Sequence, residues 1–133
     1  MSAAAPASLR LRLEMPPEVR AGEVVPIVLR LENSGDRPLE LYLRGRTIAF
    51  DVVVARPDGH VVWRRLQGEI IPAVVRVELL GPGEALELRG EWDQRTSGGE
   101  PVAPGAYVAH GVVLTDAPRP FTTDGVSLRI LPS

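Results

Sequence analysis

The sequence predicts an all-β chain, an antiparallel β-sandwich of about eight to nine strands, and three observations carry that reading. Apolar and polar residues alternate with period two along most of the 133 residues. Thirteen Pro and thirteen Gly fall almost entirely between the apolar runs, where they act as turn residues and not as helix formers. The turn signals recur roughly every 8–12 residues, the spacing of a sandwich. No stretch shows helical periodicity with caps, and no linker, repeat or low-complexity segment divides the chain, so a single β-sandwich domain over residues 1–133 is expected.

Leu9, Leu11, Leu13 and Met15 alternate with Arg10, Arg12 and Glu14 as a first strand, stopped by Pro16-Pro17. After the turn at Ala21-Gly22-Glu23, Ile27, Leu29 and Leu31 point one way and Arg30 and Glu32 the other. Pro26 has no N–H for the ladder and belongs early in this strand or on an edge. Asn33-Ser34-Gly35-Asp36 is a turn, and Leu39, Leu41 and Leu43 form a short strand after it. From Ile48 to Ala55 both faces are apolar except at Asp51, which predicts a central strand covered on both sides. A carboxylate there needs hydrogen-bond partners, since an unpaired buried one costs several kcal/mol.

Pro57-Asp58-Gly59 is a hairpin turn leading to His60–Arg64, with Val61 and Trp63 assigned to one face. Leu66 to Ala73 is a connection. Val75, Val77 and Leu79 then alternate with Arg76 and Glu78, and Leu86, Leu88, Gly90 and Trp92 with Glu87, Arg89 and Glu91. Gln94 to Ala103, with Ser97-Gly98-Gly99, reads as the longest loose loop. Tyr107–Leu114 and Val126–Leu131 are the last two strands.

Composition narrows the function classes. With aromatics at 5%, aliphatic side chains must do most of the packing, which makes Trp63 and Trp92 the expected keystones of the core. The chain has no Cys, so disulfides, thiolate metal sites and Cys nucleophiles are excluded together. All fifteen basic residues are Arg, yet the net charge of −2 gives no footprint for nucleic acid or an anionic membrane. The basic pairs Arg44/Arg46 and Arg64/Arg65 read as solvated surface. Met1–Pro6 lacks the charged and apolar regions of a signal peptide, and a cytoplasmic location is the expectation for an untrimmed chain.

Pro104-Gly105-Ala106-Tyr107 has the spacing of a tyrosine corner, in which the Tyr hydroxyl folds back onto upstream backbone. Taken in order, Asn33-Ser34-Gly35, Phe50-Asp51, Asp58-Gly59-His60-Val61-Val62-Trp63, Leu80-Gly81-Pro82-Gly83-Glu84, Trp92-Asp93-Gln94 and Pro104-Gly105-Ala106-Tyr107 resemble the BsuPI-type intracellular proteinase inhibitor family. The resemblance covers about Glu23 to Leu114 and implies an immunoglobulin-like β-sandwich. It also implies an inhibitor of an intracellular subtilisin-like serine protease, with no enzymatic activity of its own. The Leu66–Ala73 connection departs from the family pattern, holding Ile70-Ile71 where an aromatic would follow the Trp.

The residues offer no competing chemistry. His60 and His110 are fifty positions apart with no ligand spacing, so no metal or other cofactor is expected. None of the six Ser sits in a G-x-S-x-G context, Glu87 and Glu91 alternate with core positions as solvent-facing charges do, and Gly98-Gly99 opens no helix. No catalytic residues are assigned.

An inhibitor needs an extended loop held rigid by its scaffold, so that little entropy is lost in the protease cleft. Three loops qualify. Pro118-Arg119-Pro120-Phe121-Thr122-Thr123 is stiffened by its prolines. Subtilisin-like enzymes favour a large apolar residue before the scissile bond, which would make Phe121 the anchor, with Arg119 and Pro120 beside it; the other reading of Phe121 is burial against the core. The second loop carries Arg95. The third carries Ile70 and Ile71, suited to a protein partner if exposed. Two further readings stand beside inhibition: a general immunoglobulin-like interaction or assembly domain with a non-protease partner, and a carbohydrate-binding module. The last is poorly served by two Trp both placed as core.

Overall fold

The computed structural model describes residues 6–45, 47–116 and 119–133. Among them the chain forms eleven strands and no helix: β1 (Leu9–Glu14), β2 (Glu18–Arg20), β3 (Val25–Asn33), β4 (Leu39–Arg44), β5 (Phe50–Ala55), β6 (Val61–Arg64), β7 (Val75–Leu80), β8 (Ala85–Trp92), β9 (Gly105–Val113), β10 (Phe121–Thr122) and β11 (Val126–Leu131). One sheet has the order β1-β3-β8, the other β2-β11-β9-β5-β6 with β10 on β9, and β4 pairs with β7. All pairings are antiparallel except β2–β11. This is an immunoglobulin-like sandwich. The nine strands expected from alternation are present; β2 and β10, three and two residues long, are too short for a period to show.

The two faces meet over an aliphatic core from β3 (Val25, Ile27, Leu29, Leu31), β4 (Leu41, Leu43), β5 (Val52, Val54) and β11 (Leu128, Ile130), all buried. Gly111 leaves room for β3 to pack closely: a Cβ there would lie 2.9 Å from Leu29 Cδ1. Pro26 is tolerated inside a three-stranded sheet because β1 pairs with β3 only from Val28 onward, which leaves Pro26 opposite Glu91 of β8 alone. Trp92 is fully buried, with its ring 5.7 Å from Trp63 in a stacked arrangement and 6.2 Å from Tyr107 edge-on. Its Nε1 donates to Arg95 O at 2.9 Å.

Three local expectations change. In β6, the register shifts between Val54 and Ala55, so Val61 faces Ala55, Trp63 faces Val54, and Val62 is the extra residue of a bulge. Val62 is buried while Val61 is exposed and Trp63 is half-buried; Val61 and Trp63 therefore do not share a face, and only Trp92 is a fully buried keystone.

The Gln94–Ala103 loop is not loose. Thr96 N donates to Glu100 O, Gly99 N to Thr96 O, Val102 N to Gln94 O and Ser97 N to Val62 O, while Arg95 Nη1 reaches Gly99 O at 2.9 Å. The Gly pair supplies the turn, with Gly99 at φ 93°, inside a closed set of backbone bonds.

In β7 the alternation is present but inverted with respect to the core. Val75, Val77 and Leu79 are exposed, and of the whole strand only Leu80 is buried. The register places Arg76 opposite Leu43 and Glu78 opposite Leu41, so the charged face of β7 shares the inner side with the core leucines of β4. β4 supplies the apolar cover itself, and β7 extends past the rim of the core.

Candidate functional site

The β4–β7 pair is fastened at one end to the end of β3 and at the other to the segment that follows β9. At the first junction Asn33, wholly buried, donates from Nδ2 to Arg37 O at 2.7 Å and Leu80 O at 3.0 Å, and its Oδ1 accepts from Gly35 N at 3.0 Å. At the second, Arg44 N donates to Leu114 O, Asp116 N to Tyr42 O, Ala49 N to Arg44 O and Leu114 N to Ala49 O. The chain's one Asn thus fastens a turn that sequence patterning reads only as a bend.

Leu66–Ala73 leaves β6 beside this second junction. Asp51, the polar break in β5, accepts at Oδ1 from Val52 N and from Leu66 N, both at 2.9 Å, and its Oδ2 lies 4.0 Å from Arg64 Nη1. That answers the need for partners raised by its place in the strand. Arg65 donates from Nη1 to Phe50 O at 2.7 Å, and its guanidinium lies 3.8 Å from the Phe50 ring centroid. Burial lowers the Arg65 pKa from its ordinary value, opposed by the carboxylates of Asp51 and Glu69. Gln67 N to Arg64 O and Glu69 N to Leu66 O close the following turns. Beyond these anchors Ile70 stands 93% exposed and Ile71 is half-buried, next to a cleft walled by Gly45, Thr47, Ile48 and Ala49.

The proline-containing loop ends on the same side. Arg119 and Pro120 are exposed, and Arg119 O accepts from Thr115 Oγ1 at 3.0 Å. Phe121 pairs with Val113 and packs, half-buried, on the core. Pro118 and Arg46 lie outside the described residues. Thr123 is buried: its N donates to Gly111 O, while its Oγ1 accepts from Gly111 N and donates to Asp124 O, each at 2.9 Å. Arg119, Pro120 and Phe121 therefore share one end of the sandwich with Ile70 and Ile71.

Arg95 is at the other end. Gln94, buried and at φ 63°, donates from Nε2 to Arg20 O at 2.7 Å and Glu23 O at 2.9 Å, locking the end of β8 to the turn before β3. Sequence reading placed Gln94 in a motif without seeing this role, because a positive φ outside Gly leaves no mark on the pattern. Among the described residues no three His, Cys, Asp or Glu come together as a metal group, and no helix is long and apolar enough to cross a membrane.

At the Arg95 end the tyrosine corner is formed: Tyr107 O–H donates to Ala103 O. Loss of hydration raises the Tyr107 pKa above its ordinary 10.0, partly offset by Arg56. The folded chain therefore keeps this proton to higher pH than the unfolded chain. The resulting stability is fully present below the ordinary value and is lost as pH rises through the folded one. Tyr107→Phe should cost about 1 kcal/mol at neutral pH and flatten the loss of stability above about pH 10. Denaturant unfolding of both proteins across that range measures it; parallel pH curves would refute the assignment.

Solved proteins of unlike description are similar to this chain in structure. A segment of the Pseudomonas fluorescens alkylpurine DNA glycosylase AlkC, bound to DNA containing an abasic site analog, superposes with a TM-score of 0.50 at 18% identity, over 96% of this chain and 31% of that one. The CARDB domain of a Pyrococcus furiosus protein, in complex with di-metal ions, gives 0.48 at 14% identity over 94% of both chains. A Listeria innocua β-glucosidase in complex with gluconolactone gives 0.48 at 15%, over 92% of this chain and 16% of that one. At 18% identity the glycosylase match shows a common fold alone. No curated protein matches the sequence. The model of the BsuPI intracellular proteinase inhibitor family, however, matches residues 13–118, from within β1 to past the Leu114 junction. The chain belongs to the intracellular proteinase inhibitor family.

Proposed function

We propose that this chain is a non-enzymatic, cytoplasmic inhibitor of a subtilisin-like serine protease, and that it binds through the end of the sandwich holding Ile70, Ile71, Arg119, Pro120 and Phe121. The observation that carries this reading is Ile70: a large apolar side chain 93% exposed on a connection anchored by Asp51 and Arg65. A rigidly presented apolar residue is what a protein cleft can bind at small entropic cost. Phe121 serves as a wall of this end, since part of its ring is already committed to the core. Arg95 belongs to no part of the proposed contact.

Titration of the pure protein against an intracellular subtilisin should give stoichiometric inhibition. Ile70→Asp should weaken it at least tenfold, about 1.4 kcal/mol, with an unchanged melting temperature because the side chain is in water. Equal inhibition by parent and variant would remove Ile70 from the contact. Proteolysis of the parent, or no effect at micromolar concentration, would remove the protease and leave an assembly domain with another partner.

A further inference from the structure

The apolar face of β7 does not belong to the proposed inhibitory contact. Val75, Val77 and Leu79 are 45%, 52% and 66% exposed, and Tyr42 beside them on β4 is 45% exposed. Among the described residues β7 pairs only with β4, so its other edge is open. Which groups line that edge follows from the hydrogen bonds around β4. Gly45 N donates to Val74 O, while Arg44 N and Tyr42 O bond to the Leu114–Asp116 segment on the opposite side. Residues 76, 78 and 80 therefore turn their backbone groups to β4, and residues 75, 77 and 79 turn theirs to the open edge. A strand with both unpaired backbone and exposed apolar side chains is a template for adding another strand.

We propose that the open edge of β7 pairs antiparallel with β7 of a second copy of this chain, about a two-fold axis at Val77. The sequence Val75-Arg76-Val77-Glu78-Leu79 decides the occupant and the register. Backbone parity allows three antiparallel registers that keep the central residues in contact. Pairing Val75 with Val77 of the other copy sets Arg76 against Arg76. Pairing Val77 with Leu79 sets Glu78 against Glu78. Pairing Val77 with Val77 sets each Arg76 against a Glu78 and each Val75 against a Leu79, so every charge meets its opposite and every apolar residue meets another. Like charges directly opposite destabilise a strand pair and opposite ones stabilise it. Within one copy Arg76 Nε already lies 2.9 Å from Glu78 Oε1, so the four charges form one ring across the axis. The backbone groups of residues 75, 77 and 79 on each copy then close six hydrogen bonds. The isologous contact joins two β4–β7 pairs into a four-stranded sheet whose two central strands carry one continuous apolar stripe, flanked by Tyr42 of each copy.

Sedimentation equilibrium from micromolar to millimolar concentration tests this. The parent should pass from one chain mass to two. Arg76→Glu and Glu78→Arg should each remain single chains, since each places like charges across the axis. An equimolar mixture of the two variants should recover the double mass. One strand then carries two carboxylates and the other two guanidinium groups, so both charge pairs across the axis are again of opposite sign. Val77→Lys should stay single both alone and in mixtures, and circular dichroism confirms that each variant is folded. A parent that stays single throughout, or charge variants that associate as the parent does, would overturn the proposal.

Discussion

Trp92→Ala should be the most damaging single substitution in the chain, lowering stability by about 4–5 kcal/mol, the upper part of the range for emptying a large aromatic site. The indole is wholly buried, stacks on Trp63, meets Tyr107 edge-on and donates to Arg95 O. Those contacts join three elements, β6, β8 and β9, at the end where Gln94 and the tyrosine corner also lie. Removing the ring leaves a cavity the flanking strands can close only by giving up their register, so relaxation recovers little. For a domain with a typical stability of about 5–15 kcal/mol, the variant would be close to unfolding at physiological temperature. Trp63→Ala should cost roughly half as much, because that ring is only half-buried and solvent already reaches one face. Guanidinium unfolding, with midpoint and slope read separately, measures both. A loss below about 2 kcal/mol at Trp92 would mean that the aliphatic layer, and not the aromatic cluster, holds this end.

The contrast between the two tryptophans shows what the amino-acid pattern could and could not say. Alternation located nine strands because each of them presents one apolar side, and β3 and β8 have the sides it assigns. It failed at β6 because one bulged residue exchanges the faces, and a bulge is a property of the paired strand, not of the strand read alone. It failed at β7 for a different reason. Val75, Val77 and Leu79 are as regular as any inward face in the chain, but period says only that one side is apolar, never which way that side turns. The direction was set by Leu41 and Leu43 on the neighbouring strand, which already fill the core.

The candidate site was legible to a similar depth. Ile70 and Ile71 stood out by their residue type, yet the difference between a side chain 93% exposed and one half-buried depends on the turns closed by Arg64 and Leu66. Phe121 offered two readings, and the short pairing of β10 with β9 settles its ring partly on the core. The buried polar anchors, Asn33 and Gln94, carry no periodic signal. Besides the local Arg37 O and Gly35 N beside Asn33, their partners are backbone carbonyls 47 and 71–74 residues distant in sequence, a relation only the fold creates.

Asp51→Ala should have the second largest effect, and it should act on stability and on binding together. Asp51 Oδ1 is the acceptor for Val52 N and Leu66 N, so its loss leaves two partly buried donors without a partner. Stability should fall by about 2–3 kcal/mol, the range for charge-assisted hydrogen bonds and the groups they strand. Asp51→Asn keeps an acceptor oxygen while losing the charge toward Arg64 and Arg65, and should lose about half as much. Because Leu66 opens the connection to Ile70, the Ala variant should also inhibit a subtilisin-like protease at least tenfold less well at temperatures where it is fully folded. A general weakening of the domain and a specific loss of loop position are separated by a double-mutant cycle. If Asp51 positions Ile70, then Asp51→Ala combined with Ile70→Asp should inhibit no worse than Ile70→Asp alone. If the two losses instead multiply, Asp51 supports the sandwich and the connection keeps its place without it.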